Sequence, residues 1–201
     1  MKNKIVVYGG SFNPPLNSHF SIAEHVINEI ENVEKVIFLP VNKKYEKDGL
    51  EENYHRYNML KLVVDKNEKF EVSDLDLSGE ESMKTIDTLE YMKKQYPDNE
   101  IYFLLGSDNL KLLHEWNRVN DLLSNYKILV MPREKDNVDR IIEGSQLLSK
   151  YRENIIEIDE EIKSNYSSSY VRRQIRKKHD IRYLMPDEVY FYIKENKLYE
   201  E

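Results

Sequence analysis

The chain has 201 residues, of which 40% are hydrophobic and 33% charged, a composition typical of one soluble globular domain with a full core. Its formal charge of −7 argues against nucleic-acid binding, which relies on a basic surface, and the absence of cysteine excludes disulfides and thiolate chemistry. No apolar run approaches the roughly 20 residues that span a bilayer, and the sequence enters a strand without a signal-type segment. We therefore expect a cytoplasmic protein with no membrane partner.

Apolar runs and helical patterns alternate along the first two thirds of the chain. Strands are predicted at Ile5 to Tyr8, Lys35 to Leu39, Phe70 to Ser73, Ile101 to Leu105 and Lys127 to Met131. Helices are predicted at Ser18 to Glu31, Glu52 to Val64, Lys84 to Tyr96, Ser107 to His114 and Val119 to Ser124. This alternation predicts an α/β fold, a Rossmann-like doubly wound parallel sheet covered by helices on both faces.

After Pro132 the pattern changes and becomes mainly helical. Helices are predicted over Val138 to Lys150, within Tyr166 to Lys178 and from Pro186 onward, with a short apolar run at Ile155 and Ile156. No repeat or low-complexity linker separates this part from the rest. We therefore predict a single domain over residues 1–201, with a core over about 1–132 and a C-terminal part over about 133–201.

Ligands of parallel α/β sheets bind beyond the carboxyl ends of the strands. The segments that follow four predicted strands are Gly9-Gly10, Pro40-Val41-Asn42-Lys43, Gly106-Ser107-Asp108 and Pro132-Arg133. We expect all four to lie on one rim of the sheet.

The first of these segments has the features of a phosphate site. Gly9 and Gly10 allow a ligand to approach the backbone, and two prolines stiffen the turn into the next helix. A helix N-terminus offers unpaired N–H groups and positive potential, and His19 adds a donor there. This loop is predicted to bind a polyphosphate.

A second candidate stretch opens the helix near residue 170. Ser167, Ser168 and Ser169 are cap-forming residues, and capping explains Ser167 at least as well as ligand contact does. Arg172 is expected in the first turn, where its charge opposes the helix dipole, so an anion nearby would explain it better. The basic pair Lys43-Lys44 is a further local positive site.

Together these residues resemble the nucleotidyltransferase superfamily with Gly-Gly-Thr-Phe-Asp-Pro, His-x-Gly-His and Ser-Ser-Thr-x-Ile-Arg signatures, and within it bacterial nicotinate mononucleotide adenylyltransferase. The chain has Gly9-Gly10-Ser11-Phe12-Asn13-Pro14 and Ser167-Ser168-Ser169-Tyr170-Val171-Arg172 at the first and last of these. Further matches are His55 to Leu60, Lys84 to Leu89 and Gly106 to Leu110, with Trp116 downstream. The resemblance extends from Gly9 to about Tyr199.

The resemblance implies an enzyme of NAD biosynthesis that joins ATP and nicotinate mononucleotide into nicotinate adenine dinucleotide and pyrophosphate. The acceptor phosphate is already an anionic nucleophile, so positioning and charge stabilisation must carry the reaction. His19 and Arg172 are the implied catalytic residues. The implied ATP-binding residues are Gly9, Gly10, Ser11, Phe12, His19, Gly106, Asp108, Ser168, Ser169 and Arg172, and the implied acceptor-binding residues are Lys43, Lys44, Thr85 and Trp116.

The implied partners are ATP and a mononucleotide, and a homo-oligomer is compatible with the sequence. Mg²⁺ is expected with ATP, bridging phosphate oxygens and keeping several waters, and no dedicated protein metal site is expected.

The chain also departs from the related signatures. Leu16 stands at the first signature histidine, Ser18 at the glycine and Asn13 at the acidic residue, while Met83-Lys84 replaces a serine-tyrosine pair. Loss of one preorganised donor costs about 2.7–4 kcal/mol of transition-state stabilisation. Two alternatives therefore stay open: a catalytically weak or inactive nucleotide-binding protein, and a nucleotidyltransferase with another acceptor, such as a nicotinamide or pantetheine phosphate.

Overall fold

The computed structural model describes residues 2–44, 49–79, 83–133, 136–158 and 166–200. Within these residues six strands form one parallel sheet: β1 (Lys4–Gly10), β2 (Val33–Pro40), β3 (Phe70–Val72), β4 (Glu100–Gly106), β5 (Lys127–Met131) and β6 (Ile155–Glu157). The strand order is β3-β2-β1-β4-β5-β6, so the chain winds outward from β1 in both directions. The predicted doubly wound α/β fold is confirmed.

The helices of the described residues are α1 (Asn17–Glu29), α2 (Asn53–Val64), α3 (Thr85–Gln95), α4 (Ser107–Leu112), α5 (Val119–Asn125), α6 (Val138–Glu143), α7 (Gln146–Lys150), α8 (Ser168–Arg176) and α9 (Asp187–Asn196). Short 3-10 turns lie at Leu113–Glu115, Arg152–Asn154 and Arg182–Leu184. In the part of the chain described here, no helix is long and apolar enough to cross a membrane.

One expectation for the C-terminal part was wrong, and one strand was not predicted. The helix predicted over Val138 to Lys150 is split into α6 and α7 because glycine at position 144 weakens the helix and Ser145 starts a new one. The Ser145 hydroxyl accepts a hydrogen bond from the Leu148 amide at 3.3 Å. The apolar run at Ile155 forms β6, a sixth strand that its short pattern did not predict.

Strand register places the carboxyl ends of the central strands side by side. Gly10 of β1 is level with Pro40 of β2, and Gly106 of β4 is level with Met131 of β5. The post-strand segments therefore share one rim, as the sequence predicted.

The buried residues form three clusters. Two of them cover the two faces of the sheet. The third lies where the C-terminal helices α8 and α9 pack against α2 and the start of α1, and it includes Leu16, Met59, Val171 and Val189. The C-terminal part is thus attached beside the mouth of α1, which positions α8 next to the first loop.

Candidate nucleotide site

The loop after β1 is shaped by Phe12. Its backbone adopts a left-handed conformation with φ of 43°, and its ring is buried against Tyr8, with ring centroids 5.4 Å apart. A Cβ at position 10 would lie 2.9 Å from the Phe12 ring, which explains the glycine. Since the Phe12 side chain fills the core, its predicted contribution to ATP binding would have to come from its backbone.

His19 is the third residue of α1 and lies at the mouth of this loop. Its Nδ1 accepts a hydrogen bond from the Leu16 amide at 2.9 Å, which leaves the ring proton on Nε2. The ring packs against Phe12 at a centroid distance of 5.1 Å. Burial, and to a lesser extent the charge of Arg133, lower the pKa of His19 to about 3. His19 is therefore a neutral imidazole whose free group is an Nε2–H donor.

Leu16 occupies the position of the missing first histidine, and its side chain is only 1% exposed. It packs in the third cluster with Met59 of α2, Val171 of α8 and Val189 of α9. The position therefore serves the attachment of the C-terminal helices, a role that an imidazole could not fill without burying polar groups.

The serine-rich stretch meets the first loop directly. Ser168 Oγ donates to the Pro14 carbonyl at 2.8 Å, across 154 positions of sequence. Arg172 Nη1 donates to the Asn13 carbonyl at 2.8 Å, across 159 positions. The two predicted signature stretches are thus joined by two hydrogen bonds.

The other serines of this stretch organise α8 itself. Ser167 Oγ accepts from the Tyr170 amide at 3.2 Å, so Ser167 is the helix cap. Ser169 is exposed, and its hydroxyl accepts from Arg172 Nη2 at 3.1 Å. The expectation for Arg172 was partly wrong, because it is the fifth residue of α8 and lies beyond the first turn. The dipole argument for a nearby anion therefore does not apply, and the hydrogen bond to the Asn13 carbonyl accounts for the position of Arg172.

The rim continues at the end of β4. A Cβ at position 106 would collide with the Asp108 carboxylate and lie 2.7 Å from Arg133 Nε, so glycine makes room for both side chains. Arg133 Nε and Asp108 Oδ1 are 3.6 Å apart. The Arg133 amide donates to Ser107 Oγ at 2.8 Å, which ties the end of β5 to the start of α4.

Sequence reasoning gave Arg133 no functional role, although it placed the residue on the rim directly after β5. The charge of this guanidinium adds to the effect of burial in lowering the pKa of His19, and it offsets part of the rise that burial causes in the pKa of Tyr8. Arg133 is therefore a positively charged residue near the first loop that none of the signature motifs contains. Its position directly after the strand β5 is the sequence feature that could have indicated this role.

Arg56 is a second residue whose role sequence reasoning missed. It lies within the His55 to Leu60 match and is fully buried. Its Nη1 donates to the Ser11 carbonyl at 3.0 Å, and its Nε donates to the Glu51 carbonyl at 2.9 Å. Burial lowers the pKa of this guanidinium. Arg56 thus links the first loop, through the Ser11 carbonyl, to the segment just before α2.

The end of β2 carries a buried polar pair. Asn42 donates from its amide N to Asp76 Oδ2 at 2.9 Å, and the Met83 amide donates to Asp76 Oδ1 at 2.5 Å. This pair fixes the chain just before α3, which begins at the half-buried Thr85.

The remaining predicted acceptor residues lie nearby. Lys43 and Lys44 are exposed, and Lys43 Nζ forms a salt bridge with Glu52. Trp116 is half-buried with its ring edge-on to Phe103 at a centroid distance of 6.1 Å. A Cβ at position 9 would lie 3.0 Å from the same Phe103 ring, so this ring lies between Trp116 and Gly9.

The chemistry of this rim suits an anion. It presents the Nε2–H group of His19, two guanidiniums from Arg133 and Arg172, and the N-terminus of α1, where the N-cap residue Leu16 has no side-chain acceptor for the helix amides. Among residues 2–44, 49–79, 83–133, 136–158 and 166–200, no group of three His, Asp or Glu side chains is placed to hold a metal ion.

The comparisons with known proteins cover nearly the whole chain. Residues 7–174 match the model of the family described as cytidylyltransferase-like. A protein of Caldicellulosiruptor bescii named "Probable nicotinate-nucleotide adenylyltransferase" is 34% identical over 197 residues, which are 98% of each chain. A protein of Clostridium tetani with the same name is 31% identical over 202 residues, 99% of this chain and 100% of that one.

Solved structures show the same fold. The nicotinic acid mononucleotide adenylyltransferase of Plasmodium falciparum complexed with NaAD aligns with a TM-score of 0.82 over 98% of both chains, at 23% identity. Its complex with APC gives a TM-score of 0.79 at the same coverage. From the family match and the full-length relatives, the chain belongs to the cytidylyltransferase-like family of nucleotidyltransferases.

Proposed function

We propose that this protein is a nicotinate-nucleotide adenylyltransferase, which joins ATP and nicotinate mononucleotide into nicotinate adenine dinucleotide in NAD biosynthesis. The similarity over the whole length to relatives named for this activity supports the proposal. The observation that carries it is the meeting of the two signature stretches, because Arg172 and Ser168 bond to the loop that leads to His19.

The reaction needs positioning and charge stabilisation more than acid-base chemistry. An oxygen of the acceptor phosphate attacks the α-phosphorus of ATP in line, the bond from that phosphorus to the bridging oxygen breaks, and pyrophosphate leaves. His19, as a neutral Nε2–H donor, would stabilise the charge that builds on the α-phosphate. Arg172, Ser168 and the N-terminus of α1 would hold the leaving phosphates.

The acceptor would bind on the other side of Gly9. The half-buried Trp116 would stack on a pyridine ring, and Thr85 at the start of α3 would donate a hydrogen bond to a carboxylate or phosphate. Lys43 and Lys44 supply positive charge beyond β2 for the acceptor phosphate. The pairing of Lys43 with Glu52 leaves Lys44 as the stronger candidate.

Mg²⁺ fits this site as a companion of ATP and not as a resident metal. The donors of the rim are mainly cations and N–H groups, which attract phosphate, and Asp108 is the carboxylate that could hold a metal-bound water. Mg²⁺ would neutralise the phosphates of ATP, while His19 and Arg172 orient them.

A turnover assay tests the proposed function. Purified protein is mixed with ATP, Mg²⁺ and, in parallel, nicotinate mononucleotide, nicotinamide mononucleotide or pantetheine phosphate, and pyrophosphate and dinucleotide are measured. We expect the fastest reaction with nicotinate mononucleotide. Faster turnover of another acceptor would reassign the substrate, and Met83-Lys84 beside Thr85 would be the first positions to examine.

The second candidate function is that of a nucleotide-binding protein with weak or no catalysis. The burial of Leu16 favours it, because no polar group at that position replaces the missing imidazole. Calorimetric binding of ATP without turnover of any of the three acceptors would support this candidate.

A further inference from the structure

The C-terminal end of the described chain reaches the first loop at Asn13. Tyr199 packs in the third cluster, and its hydroxyl donates a hydrogen bond to Asn13 Oδ1 at 2.8 Å, across 186 positions of sequence. Asn13 is 1% exposed and Tyr199 is 9% exposed. The contact is therefore shielded from water, where a hydrogen bond holds its partners most firmly.

The side chain of Asn13 is bonded on both of its polar atoms. Oδ1 also accepts from the Glu51 amide at 3.2 Å, and Nδ2 donates to the Gly49 carbonyl at 2.8 Å. The Asn13 carbonyl accepts from Arg172 Nη1. Asn13 thus joins the segment before α2, helix α8 and the C-terminal end at a single residue.

This arrangement requires an amide and not a carboxylate. The Gly49 carbonyl can only accept, so the atom that faces it must carry a hydrogen. An ionised carboxylate at position 13 could accept from Tyr199 and from Glu51, but its second oxygen would face the Gly49 carbonyl with no proton between them. The contacts of Asn13 give a physical reason for asparagine at this position.

We propose that Tyr199 and Asn13 form a positioning pair for nucleotide binding and transfer. The Tyr199 hydroxyl fixes the Asn13 side chain, and Asn13 holds the loop where Arg172 and the start of α1 receive the triphosphate. Asn13 is a buried residue of this loop, Tyr199 is buried against it, and both would act on the nucleotide through the loop's position. The inference rests on the proposed function for the reaction, whereas its effect on ATP affinity does not depend on the acceptor.

The test compares two tyrosine hydroxyls of the C-terminal part. Tyr192 of α9 also uses its hydroxyl in a hydrogen bond, to His55 Nδ1 at 2.9 Å, but this bond does not involve the first loop. Y199F removes the bond to Asn13, Y192F removes the bond to His55 together with a longer one that Tyr192 accepts from Asn58 Nδ2 at 3.3 Å, and both variants keep the ring. Melting temperature, ATP affinity by calorimetry, and kcat and KM for ATP are measured for both.

We expect Y199F to weaken ATP binding about five- to tenfold and to lower kcat/KM for ATP to a similar extent, the size of one lost internal hydrogen bond. Y192F should lose a similar amount of thermal stability and keep ATP affinity within about twofold. If Y199F binds ATP as the wild type does while its melting temperature falls, the contact is structural only and the proposal is wrong. Calorimetry needs no acceptor. A protein without turnover would therefore overturn the proposed function, and the ATP affinities of Y199F and Y192F could still be compared.

A second variant tests the contact through pH. In N13D, protonation of the carboxyl restores a donor toward the Gly49 carbonyl, so ATP affinity relative to wild type should rise as pH falls. In N13D/Y199F the carboxylate loses the Tyr199 donor, so its pKa rises and the midpoint should move up by about one pH unit. The charged groups near Tyr199 are Arg172 of α8, Arg56 of α2 and Glu51, and they are the same in both variants. Equal midpoints would show that the hydroxyl does not act on residue 13.

Discussion

The two sides of the rim are built differently. On the ATP side, hydrogen bonds connect the two signature stretches. Ser168 and Arg172 of α8 donate to carbonyls of the first loop, and His19 accepts from the Leu16 amide at the end of that loop. On the acceptor side, the contacts of Lys43 and Trp116 do not involve either signature stretch. Lys43 pairs with Glu52, and Trp116 packs on Phe103.

This difference predicts how mutations will act. On the ATP side the contacts that shape the site also attach the C-terminal helices, so a substitution there should change stability and nucleotide binding together. On the acceptor side the backbone after β2 is fixed by the buried Asn42 and Asp76 pair, so the exposed side chains of Lys43 and Lys44 can be changed with the fold kept. The following predictions test this contrast.

The largest effect is expected from H19A. It removes the Nε2–H donor, and we expect kcat to fall about a hundred- to thousandfold, the typical loss for one donor aimed at developing charge. The loss of the Leu16 amide partner should lower stability by only about 1 kcal/mol. Single-turnover kinetics and thermal melts check both numbers, and a nearly normal rate would remove His19 from the mechanism.

A large effect on stability is expected from L16H. Replacing a core leucine with an imidazole loses apolar burial and buries a polar ring, so the free energy of unfolding should fall by about 3 kcal/mol. The rate should fall too, because α8 is held through this cluster. Denaturant titration and turnover measure the effects. A faster and equally stable L16H protein would show that leucine at position 16 only removes a catalytic group and has no structural role.

The pH dependence of stability is the next effect. The pKa of His19 is about 3 when folded and about 6.5 when unfolded, so the unfolded state binds a proton first as pH falls. The contribution of neutral His19 to the free energy of unfolding is fully present above pH 6.5. The free energy of unfolding should therefore decrease by about 2 kcal/mol between pH 7 and pH 5. Denaturant titrations at the two pH values measure this decrease, and in H19A the decrease should be smaller by about 2 kcal/mol. An activity profile with a His19-dependent inflection near pH 6.5 would contradict an imidazole that stays neutral through this pH range.

On the acceptor side, W116A should raise KM for nicotinate mononucleotide about tenfold through the loss of stacking, and leave the ATP dissociation constant within about twofold. W116F is the matched control, since it keeps an aromatic face and should lose less. Steady-state kinetics and ATP calorimetry separate the two outcomes. A parallel loss of ATP affinity would show that the two sides of the rim are not independent.

The smallest effect is expected from K43A. Because Lys43 is exposed and paired with Glu52, its removal should change KM for the acceptor by less than about threefold. K44A is the comparison, and we expect it to raise KM more. The reverse order would assign the acceptor phosphate to Lys43.

The sequence predicted the sheet well because strand and helix alternate with different hydrophobic periods, and the post-strand glycines marked the rim. It did not predict the break at Gly144, because one glycine is tolerated in many helices, nor β6, because three residues carry too little pattern. The role of Leu16 was also beyond it: only the packing of α8 and α9 on this side chain explains why a leucine is there. The roles of Arg56 and Asn13 depend on carbonyl partners, which no side-chain motif records.

The central claim is that the glycine-rich loop and the start of α8 hold one triphosphate between them. A crystal structure with a non-hydrolysable ATP analogue and nicotinate mononucleotide tests it most directly. We expect His19 Nε2 and an Arg172 nitrogen each to lie within about 2.7–3.2 Å of oxygens of the same triphosphate. A triphosphate bound to neither group, or to only one of the two stretches, would contradict it.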